Sequence, residues 1–451
     1  MGQEGYIAAD FGGGSGRVML GIVNNGQIEL KEIHRFNNRQ ILINNRLYWD
    51  FPYLFEEMKQ GIKKAVKEGY YIKSIGIDTW GVDFGFIDNN GHLLSLPVSY
   101  RDKRTEDVFN SRFTQEQKKE LYHTSGLQSM NINSLYQLCS MIEENNPVLD
   151  VAGKMLFMPD LFSYYLTGEA FNEYTIASTS DLLSAKDRNW NYDLIDKLHL
   201  RREMFCQIVK PGKEKFPIKE SVRKELNLPD DCVLIPVASH DTQSAVYSIK
   251  NSKSNNAFLS SGTWSLLGCQ IDDPVLSDDA FKNGFSNEGS VNDRICFLQN
   301  ITGLWTLQCL TKQWQNRGEE SDLKILNILA EQSDFDVIVD VDDAIFQSPD
   351  DMEQAFRSYC KTHALATPQT KGDYVRCIFL SLASRYAKGI SQMNNLLTEP
   401  IKELTVMGGG SKSKLLNSLT SSVCGIEVQT GEAEATAMGN ILLQAQTLNV
   451  I

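Results

Sequence analysis

Hydrophobic and polar positions near the N-terminus form short apolar runs separated by tight turns. The apolar run YIAADF (6–11) leads into a glycine-rich turn, and RVMLGIV (17–23) is apolar again. Asn24-Asn25-Gly26 then predicts a second tight turn before QIELKEIHRF (27–36). The glycines at 12–16 are therefore expected inside a β-hairpin. There they offer bare backbone N–H groups, which suit a phosphate.

The same pattern recurs later in the chain. FLSSGTWSLLGC (258–269) again reads as an apolar strand, a turn of small residues and a second apolar strand. IGIDTWGVDFGFID (75–88) is a further strand that passes through an acidic corner containing glycine. A dinucleotide fingerprint needs its glycines between a strand and a helix, and the P-loop pattern does not occur in the sequence. Two phosphate hairpins in two similar halves are favoured instead, which suggests an internal duplication.

Helical segments alternate with these strands along the whole chain. They are predicted at 53–68, 114–124, 157–168, 304–313 and 374–395, with a strand-to-helix unit at 234–246 and a strand, glycines and a helix at 406–420. This alternation predicts an α/β fold with mixed sheets. The polar stretch 250–256 is the predicted linker, so we expect an N-terminal domain at 1–247 and a C-terminal domain at 248–451.

Composition excludes several classes of protein. A length of 451 residues with 42% hydrophobic residues fits two domains with ample cores. The formal net charge of −13 argues against a nucleic-acid partner, and no apolar run is long enough to span a membrane. The first strand begins too early to leave room for a signal peptide. Nine scattered cysteines and six histidines without metal-ligand spacing predict reduced thiols in a cytoplasmic protein.

Several blocks of the sequence resemble the FGGY family of carbohydrate kinases. They are EIHRFNN (32–38), IGIDTWGVDFG (75–85), YRDKRT (100–105), ASHDTQSAV (238–246), LSSGTWSLLG (259–268), GLWTLQ (303–308) and EATAMGNILLQA (434–445). The resemblance covers essentially the whole chain. It implies two ribonuclease H-like domains of the actin and hexokinase type, with a cleft between them.

The resemblance also implies a role for individual residues. Asp241 would be the general base that takes the proton from the sugar hydroxyl, and Asp10 would hold Mg²⁺. The sugar contacts would be Gly81, His240, Thr242 and Asn300, with Trp80 and Asp83 as further candidates. The ATP contacts would be Gly13, Gly14, Ser15, Gly16, Arg17, Thr263, Gln308, Gly408, Gly409 and Gly410. The implied ligands are ATP, Mg²⁺ and a small sugar, bound by a monomer or homodimer without membrane or nucleic-acid partners.

The sequence departs from the family pattern at two places. Gly14 stands where a residue with a hydroxyl is expected, so any phosphate contact there must come from the backbone. Members of the family also usually run some tens of residues past the helix expected to end near Asn449. This difference is typical of a chain truncated at its C-terminal end.

Alternative interpretations remain for the function and for single residues. Within the family the blocks are most similar to kinases of L-rhamnulose. Kinases of L-fuculose or xylulose are alternatives, and so is a non-catalytic ATP-binding member of the same superfamily. Asp10 and Asp78 could simply be turn residues at the ends of strands. Asp241 could serve merely as the N-cap of a helix, without a catalytic role. Trp80 could anchor a core or form a sugar platform, and so could Trp264. Gly439, inside a helical run, is expected to permit close packing against a nucleotide or another helix.

Overall fold

The fold is taken from a computed structural model, which describes residues 2–249, 255–347, 349–432 and 434–451. The strands are β1 (Glu4–Phe11), β2 (Ser15–Asn24), β3 (Gln27–Asn37), β4 (Gln40–Ile43), β5 (Arg46–Trp49), β6 (Tyr71–Thr79), β7 (Phe84–Ile87), β8 (Lys154–Phe157), β9 (Asn172–Glu173), β10 (Leu183–Ser184), β11 (Asn189–Trp190), β12 (Ile208–Val209), β13 (Phe216–Pro217), β14 (Val233–Leu234), β15 (Asn256–Ser261), β16 (Trp264–Ile271), β17 (Phe285–Gly289), β18 (Ile295–Thr302), β19 (Glu403–Met407) and β20 (Glu427–Thr430).

Helices alternate with these strands. They are α1 (Phe51–Lys67), α2 (Glu106–Ser111), α3 (Gln115–Ser125), α4 (Ser134–Glu143), α5 (Val148–Val151), α6 (Met158–Thr167), α7 (Tyr174–Ala177), α8 (Tyr192–Lys197), α9 (Glu220–Leu226), α10 (Asp241–Tyr247), α11 (Asp278–Lys282), α12 (Trp305–Asn316), α13 (Leu323–Gln332), α14 (Met352–Thr362), α15 (Lys371–Leu396), α16 (Lys414–Cys424) and α17 (Ala435–Thr447). In the parts of the chain that the structure describes, no helix combines the length and apolar character of a membrane span.

The chain divides into two compact units. Unit 1 contains Met1–Lys250, Ile271–Phe297 and Glu434–Ile451, and unit 2 contains Asn251–Gln270 and Leu298–Ala433. The predicted division after Tyr247 therefore falls near the first passage from unit 1 to unit 2, but the chain also returns to unit 1 twice. The predicted linker at 250–256 lies mostly outside the described residues.

Unit 1 is built on a mixed sheet with the strand order β13-β14-β6-β1-β2-β3. The hairpins β1–β2 and β2–β3 are antiparallel, whereas β6 runs parallel to β1. Side chains of β1 alternate between the two faces of this sheet: Ile7 and Phe11 join the core that includes α1, and Tyr6 packs with Ile441 of α17. Both faces are therefore buried, which explains the almost continuous apolar run of β1.

Unit 2 repeats the central part of this arrangement. Its strands lie in the order β18-β16-β15-β19-β20, with β15–β16 antiparallel and β19 parallel to β15. The long helix α15 packs on this sheet, where Tyr386 Oη lies 2.8 Å from Ser265 Oγ. The hairpin next to a parallel strand therefore occurs in both units, in agreement with the predicted duplication.

Local sequence signals explain where several helices begin and end. Asp50 accepts a hydrogen bond from Tyr53 N at the start of α1, and Thr114 forms a reciprocal capping box with Gln117 at the start of α3. Helix α6 ends at Gly168, whose φ of 86° lies in the left-handed region that favours glycine. These boundaries agree with the helices predicted from the sequence.

Gly439 allows α17 to approach α10 closely. A methyl group on Gly439 would lie 1.7 Å from the backbone oxygen of Ser244 in α10. This contact confirms the expectation of close packing against another helix. It also means that α17 fixes the position of the helix that begins at Asp241.

We expect Gly439→Ala to lower the free energy of unfolding by at least about 2 kcal/mol, because the added methyl group overpacks the α10–α17 contact. Chemical denaturation monitored by circular dichroism measures this change. Gly14→Ala is the matched control, since no atom lies within 4 Å of a methyl group placed there. Equal stability of the two variants would contradict this account of Gly439.

Candidate functional site

The glycine-rich turn between β1 and β2 is a hairpin, as predicted. Gly12 N donates to Ser15 O at 2.9 Å and closes the turn. Asn38 fastens it from outside, because its Nδ2 donates to Gly12 O at 2.7 Å and its N donates to Gly14 O at 3.1 Å. Within the part of the chain that the structure describes, the N–H groups of Gly13 and Gly14 bond to no protein acceptor. They are thus available to an anion.

Arg17 stands opposite Asp10 in the register of this hairpin. Its Nη2 lies 2.5 Å from Asp10 Oδ2, and its Nη1 pairs with Glu434 at the start of α17. Two carboxylates therefore neutralise the guanidinium of Arg17, which was predicted to contact ATP. Glu434 was missed, since nothing in the sequence relates a residue near the C-terminus to the first hairpin.

Three carboxylates, which we call the carboxylate group, come from neighbouring elements of unit 1: Asp10, Asp78 and Asp241. Asp10 and Asp78 are register partners on the parallel strands β1 and β6, while Asp241 begins α10. Burial raises the pKa of all three, and the negative charge of Asp10 raises those of Asp78 and Asp241 further. The group therefore binds protons more readily than isolated aspartates do.

Asp78 is fully buried and only half satisfied. Its Oδ2 accepts a hydrogen bond from Asn440 Nδ2 at 2.5 Å, while its Oδ1 has no hydrogen-bond partner among the described residues. Asn440 is positioned by Gln444, whose Nε2 donates to Asn440 Oδ1 at 2.6 Å and to Ile7 O at 2.9 Å. Asn440 and Gln444 lie one turn apart on α17. The sequence shows this spacing but does not show that the two side chains contact Asp78 and Ile7.

The carboxylate group suits a hard divalent cation. Carboxylate oxygens are the ligands that Mg²⁺ prefers, and a cation would relieve both the mutual repulsion and the unpartnered oxygen of Asp78. The described residues contain no cluster of three or more His, Cys, Asp or Glu side chains that could hold a metal ion by themselves. Mg²⁺ is usually held by one or two carboxylates together with phosphate oxygens and water, so these aspartates would supply only part of its ligands.

The buried carboxylate of Glu173 anchors the loop before α10. Glu173 accepts hydrogen bonds from Thr175 and from Ser239 N at 3.1 Å, and Thr175 Oγ1 in turn accepts from His240 N at 3.1 Å. Burial raises the pKa of Glu173 to about 7. This arrangement fixes the backbone that leads into Asp241, whose carboxylate is partly exposed.

His240, Asp241 and Thr242 are brought together with a residue that the sequence analysis missed, Glu288. Thr242 Oγ1 donates to Asp241 Oδ1 at 3.1 Å, and His240 Nε2 lies 3.6 Å from the same oxygen. His240 Nδ1 lies 3.1 Å from Glu288 Oε2. Burial disfavours the charged imidazole, but the nearby carboxylates outweigh burial, so the pKa of His240 is raised.

The predicted acidic corner after β6 adjoins both the first hairpin and this loop. Trp80 N donates to Phe11 O at 3.1 Å, and Thr79 N donates to Ser239 O at 2.9 Å. Gly81 packs against Thr179, whose Oγ1 accepts from Val82 N at 3.0 Å. The corner therefore joins the first hairpin to the loop that carries Asp241.

Asp83 and Trp80 lie beneath this corner. Trp80 is buried against Trp49 with ring centroids 4.1 Å apart, which favours the core-anchor interpretation. Asp83 is fully buried, and its Oδ2 accepts from the indole N–H groups of Trp49 and Trp80 at 2.6 and 3.0 Å. Gln137 Nε2 donates to the other oxygen at 3.0 Å. Burial raises the pKa of Asp83 to about 6 in spite of these donors. Both of its oxygens are engaged by protein groups.

The remaining predicted residues lie in unit 2. Thr263, in the second hairpin, donates through Oγ1 to Gln308 Oε1 of α12 at 3.0 Å. Gly408, with a φ of 77°, and Gly410 both pack against Ser261 at the end of β15. Asn300 lies on β18 and is partly exposed. Trp264, the other tryptophan with two interpretations, is 54% exposed.

Family models match nearly the whole chain. The N-terminal domain of the FGGY family of carbohydrate kinases matches residues 5–248, and its C-terminal domain matches residues 257–448. The chain belongs to the FGGY family of carbohydrate kinases. This confirms the family predicted from the sequence and identifies the protein as a sugar kinase.

Individual relatives agree with this assignment. A rhamnulokinase of Bacteroides thetaiotaomicron is 40% identical and matches 99% of this chain and 91% of its own. A rhamnulokinase of Oceanobacillus iheyensis is 38% identical and matches 100% of this chain and 94% of its own. These two proteins are similar to this kinase over almost all of both lengths.

Solved structures share the fold. Xylulose kinase from Lactobacillus acidophilus has a TM-score of 0.84 at 17% identity, covering 99% of this chain and 90% of its own. Plasmodium falciparum glycerol kinase with ADP has a TM-score of 0.79 at 16% identity, and the match covers 100% of this chain and 90% of the glycerol kinase chain. The predicted α/β architecture with mixed sheets in two domains, of the actin and hexokinase type, is confirmed.

We expect Glu288→Gln to lower the pKa of His240, because the variant loses the carboxylate that favours the imidazolium. A raised pKa of a histidine stabilises the fold below the unfolded-state pKa near 6.5, and that stabilisation is lost as pH rises through the folded-state pKa. The variant should therefore lose more stability at pH 5.5 than at pH 9. NMR titration of the His240 ring and unfolding curves at both pH values measure these effects. An unchanged His240 titration would contradict the pairing.

Proposed function

We propose that this kinase transfers the γ-phosphoryl group of ATP to the primary hydroxyl of L-rhamnulose, which gives L-rhamnulose 1-phosphate in L-rhamnose catabolism. The observation that carries the proposal is the partly exposed carboxylate of Asp241, which belongs to the carboxylate group together with Asp10 of the first hairpin. The similarity to rhamnulokinases at 34–40% identity supports the choice of sugar.

Asp241 is proposed as the general base. Phosphoryl transfer depends mainly on positioning and on neutralising charge, with a base directed at the attacking hydroxyl. The hydroxyl proton passes to the Asp241 carboxylate as the sugar oxygen bonds to phosphorus and the bond to the ADP oxygen breaks. His240, Thr242, Gly81 and Asn300 are proposed to bind the sugar, while Trp80 and Asp83 support that site from the core.

The nucleotide is proposed to bind as its magnesium complex. The amides at 13–16 and the side chain of Arg17 would contact phosphates, and Thr263, Gln308 and Gly408–Gly410 would contact the rest of ATP. The Mg²⁺ of this substrate neutralises phosphate charge, and Asp10 would orient it through water. Because Gly14 lacks a hydroxyl, its contribution is proposed to come from the backbone N–H.

Cellular context and assembly are part of the same proposal. Seven of the nine cysteines are buried, in agreement with reduced thiols. A cytoplasmic location, a monomeric or homodimeric state and the lack of nucleic-acid or membrane partners stay predictions.

We expect L-rhamnulose to give the highest kcat/KM in a panel with L-fuculose, xylulose and glycerol. The corner at Gly81 and the side chain of Asn300 would pair with its hydroxyl groups, and an epimer would leave such polar groups unpaired. A coupled assay of ADP release measures the four ratios. A tenfold preference for xylulose or glycerol would refute the choice of sugar, and no ADP release with any ketose would favour the non-catalytic alternative.

Asp241→Asn should lower kcat by at least about 100-fold, because general-base catalysis contributes roughly 10²–10⁴ in rate. The KM for ATP and the melting temperature should change little, since the amide has the same size. Asp193→Asn is a matched control, because Asp193 is an exposed aspartate in the first turn of α8. Retention of more than a tenth of kcat would exclude Asp241 as the base and direct the search to Asp78 and Asp83.

A further inference from the structure

Arg101, in the loop that follows Tyr100, places its guanidinium beside the first hairpin. A methyl group on Gly13 would lie 3.3 Å from Arg101 Nη2 and 3.2 Å from Tyr100 Oη. The guanidinium therefore lies directly against the turn whose free amides we assign to phosphate. In the sequence this segment shows only its resemblance to the family, from which no role for Arg101 was inferred.

No described residue forms an ion pair with Arg101. The side chain is exposed, and within the described ranges no carboxylate lies within 4 Å of its guanidinium. Arg17 differs, because it is paired with both Asp10 and Glu434. Of the two arginines next to the hairpin, Arg101 is thus the one with charge available to a ligand.

Tyr100 holds this guanidinium in place. Arg101 Nε donates to Tyr100 Oη at 3.1 Å, and its Cζ lies 5.3 Å from the centre of the tyrosine ring. Tyr100 is itself fixed, since its N donates to Asp83 Oδ2 at 3.1 Å. Burial raises the pKa of Tyr100, while the charge of Arg101 and its hydrogen bond to the phenol lower it. The phenol thus links the guanidinium of Arg101 to the backbone beside Gly13.

We infer that Arg101 is a further catalytic residue, whose guanidinium binds the γ-phosphoryl oxygens as the phosphoryl group passes from ATP to the sugar. The inference rests on the proposed function. During the step the bond from the γ-phosphorus to the ADP oxygen breaks, and ADP leaves with the electron pair. The sugar oxygen bonds to phosphorus, its proton goes to Asp241, and Arg101 stays protonated throughout.

The expected size of the effect follows from the charge that develops in this reaction. An arginine that contacts the transferring phosphoryl group accelerates related reactions by roughly 10³–10⁵, because it neutralises charge on the equatorial oxygens. Lysine replaces arginine poorly in such a site, since it lacks the planar fork that binds two oxygens at once. Loss of Arg101 should therefore act mainly on the rate of transfer.

The test compares Arg101→Met, Arg101→Lys and the control Lys103→Met, which removes an exposed cation two residues away. Rapid-quench single turnovers with saturating MgATP and L-rhamnulose measure the rate of sugar phosphorylation. We expect Arg101→Met to be at least 100-fold slower than wild type and Arg101→Lys at least tenfold slower. Lys103→Met should match wild type, and the KM for L-rhamnulose and the melting temperature should change little in all three.

Each outcome decides the inference. A transfer rate above a tenth of wild type in Arg101→Met, or a loss that comes with a lower melting temperature in both Arg101 variants, would overturn it. If only Arg101→Met fails to fold, the rate of Arg101→Lys decides in its place. Wild-type protein that phosphorylates no ketose would refute the proposed function, and the inference with it. An active wild type with equally active variants would refute Arg101 alone.

Discussion

Burial of three neighbouring carboxylates is the constraint on which unit 1 depends. Asp10, Asp78 and Asp241 share one end of the sheet, where burial raises the pKa of each and the charge of Asp10 raises those of Asp78 and Asp241 further. A buried charge is costly unless it is paired or hydrogen-bonded. The surrounding groups are arranged to meet that cost: Arg17 neutralises Asp10, and Asn440 donates to Asp78.

Helix α17 supplies much of this compensation. Although it lies at the C-terminal end of the sequence, it carries Asn440 and follows directly on Glu434, and Gly439 lets it approach α10. The same helix thus stabilises the carboxylates and positions the element that begins at Asp241. The compensation remains incomplete, because Asp78 Oδ1 finds no hydrogen-bond partner in the part of the chain that the structure describes. A magnesium nucleotide would complete it, which connects substrate binding to the stability of this end of the sheet.

Short sequence patterns predicted the hairpin turns, because these depend on residues that are close together in the sequence. The glycines at 12–16 and the Asn24-Asn25-Gly26 turn predicted both antiparallel hairpins of the first sheet, because each turn requires those residue types. Contacts between distant segments could not be predicted in this way. Nothing in the sequence relates Arg17 to Glu434 or His240 to Glu288, since only the folded chain brings these residues together. Arg101 was missed for the same reason, because its role follows from the proximity of its guanidinium to Gly13.

The most direct test of the account is to follow the phosphorus itself. ³¹P NMR of the purified protein with MgATP and L-rhamnulose would show whether the γ-phosphoryl group reaches a primary hydroxyl. The account predicts that ATP is converted to ADP and an equal amount of one phosphomonoester, whose signal is split by the two protons of a neighbouring CH₂ group. Formation of inorganic phosphate with unchanged sugar would contradict it, because the site would then activate water rather than the ketose.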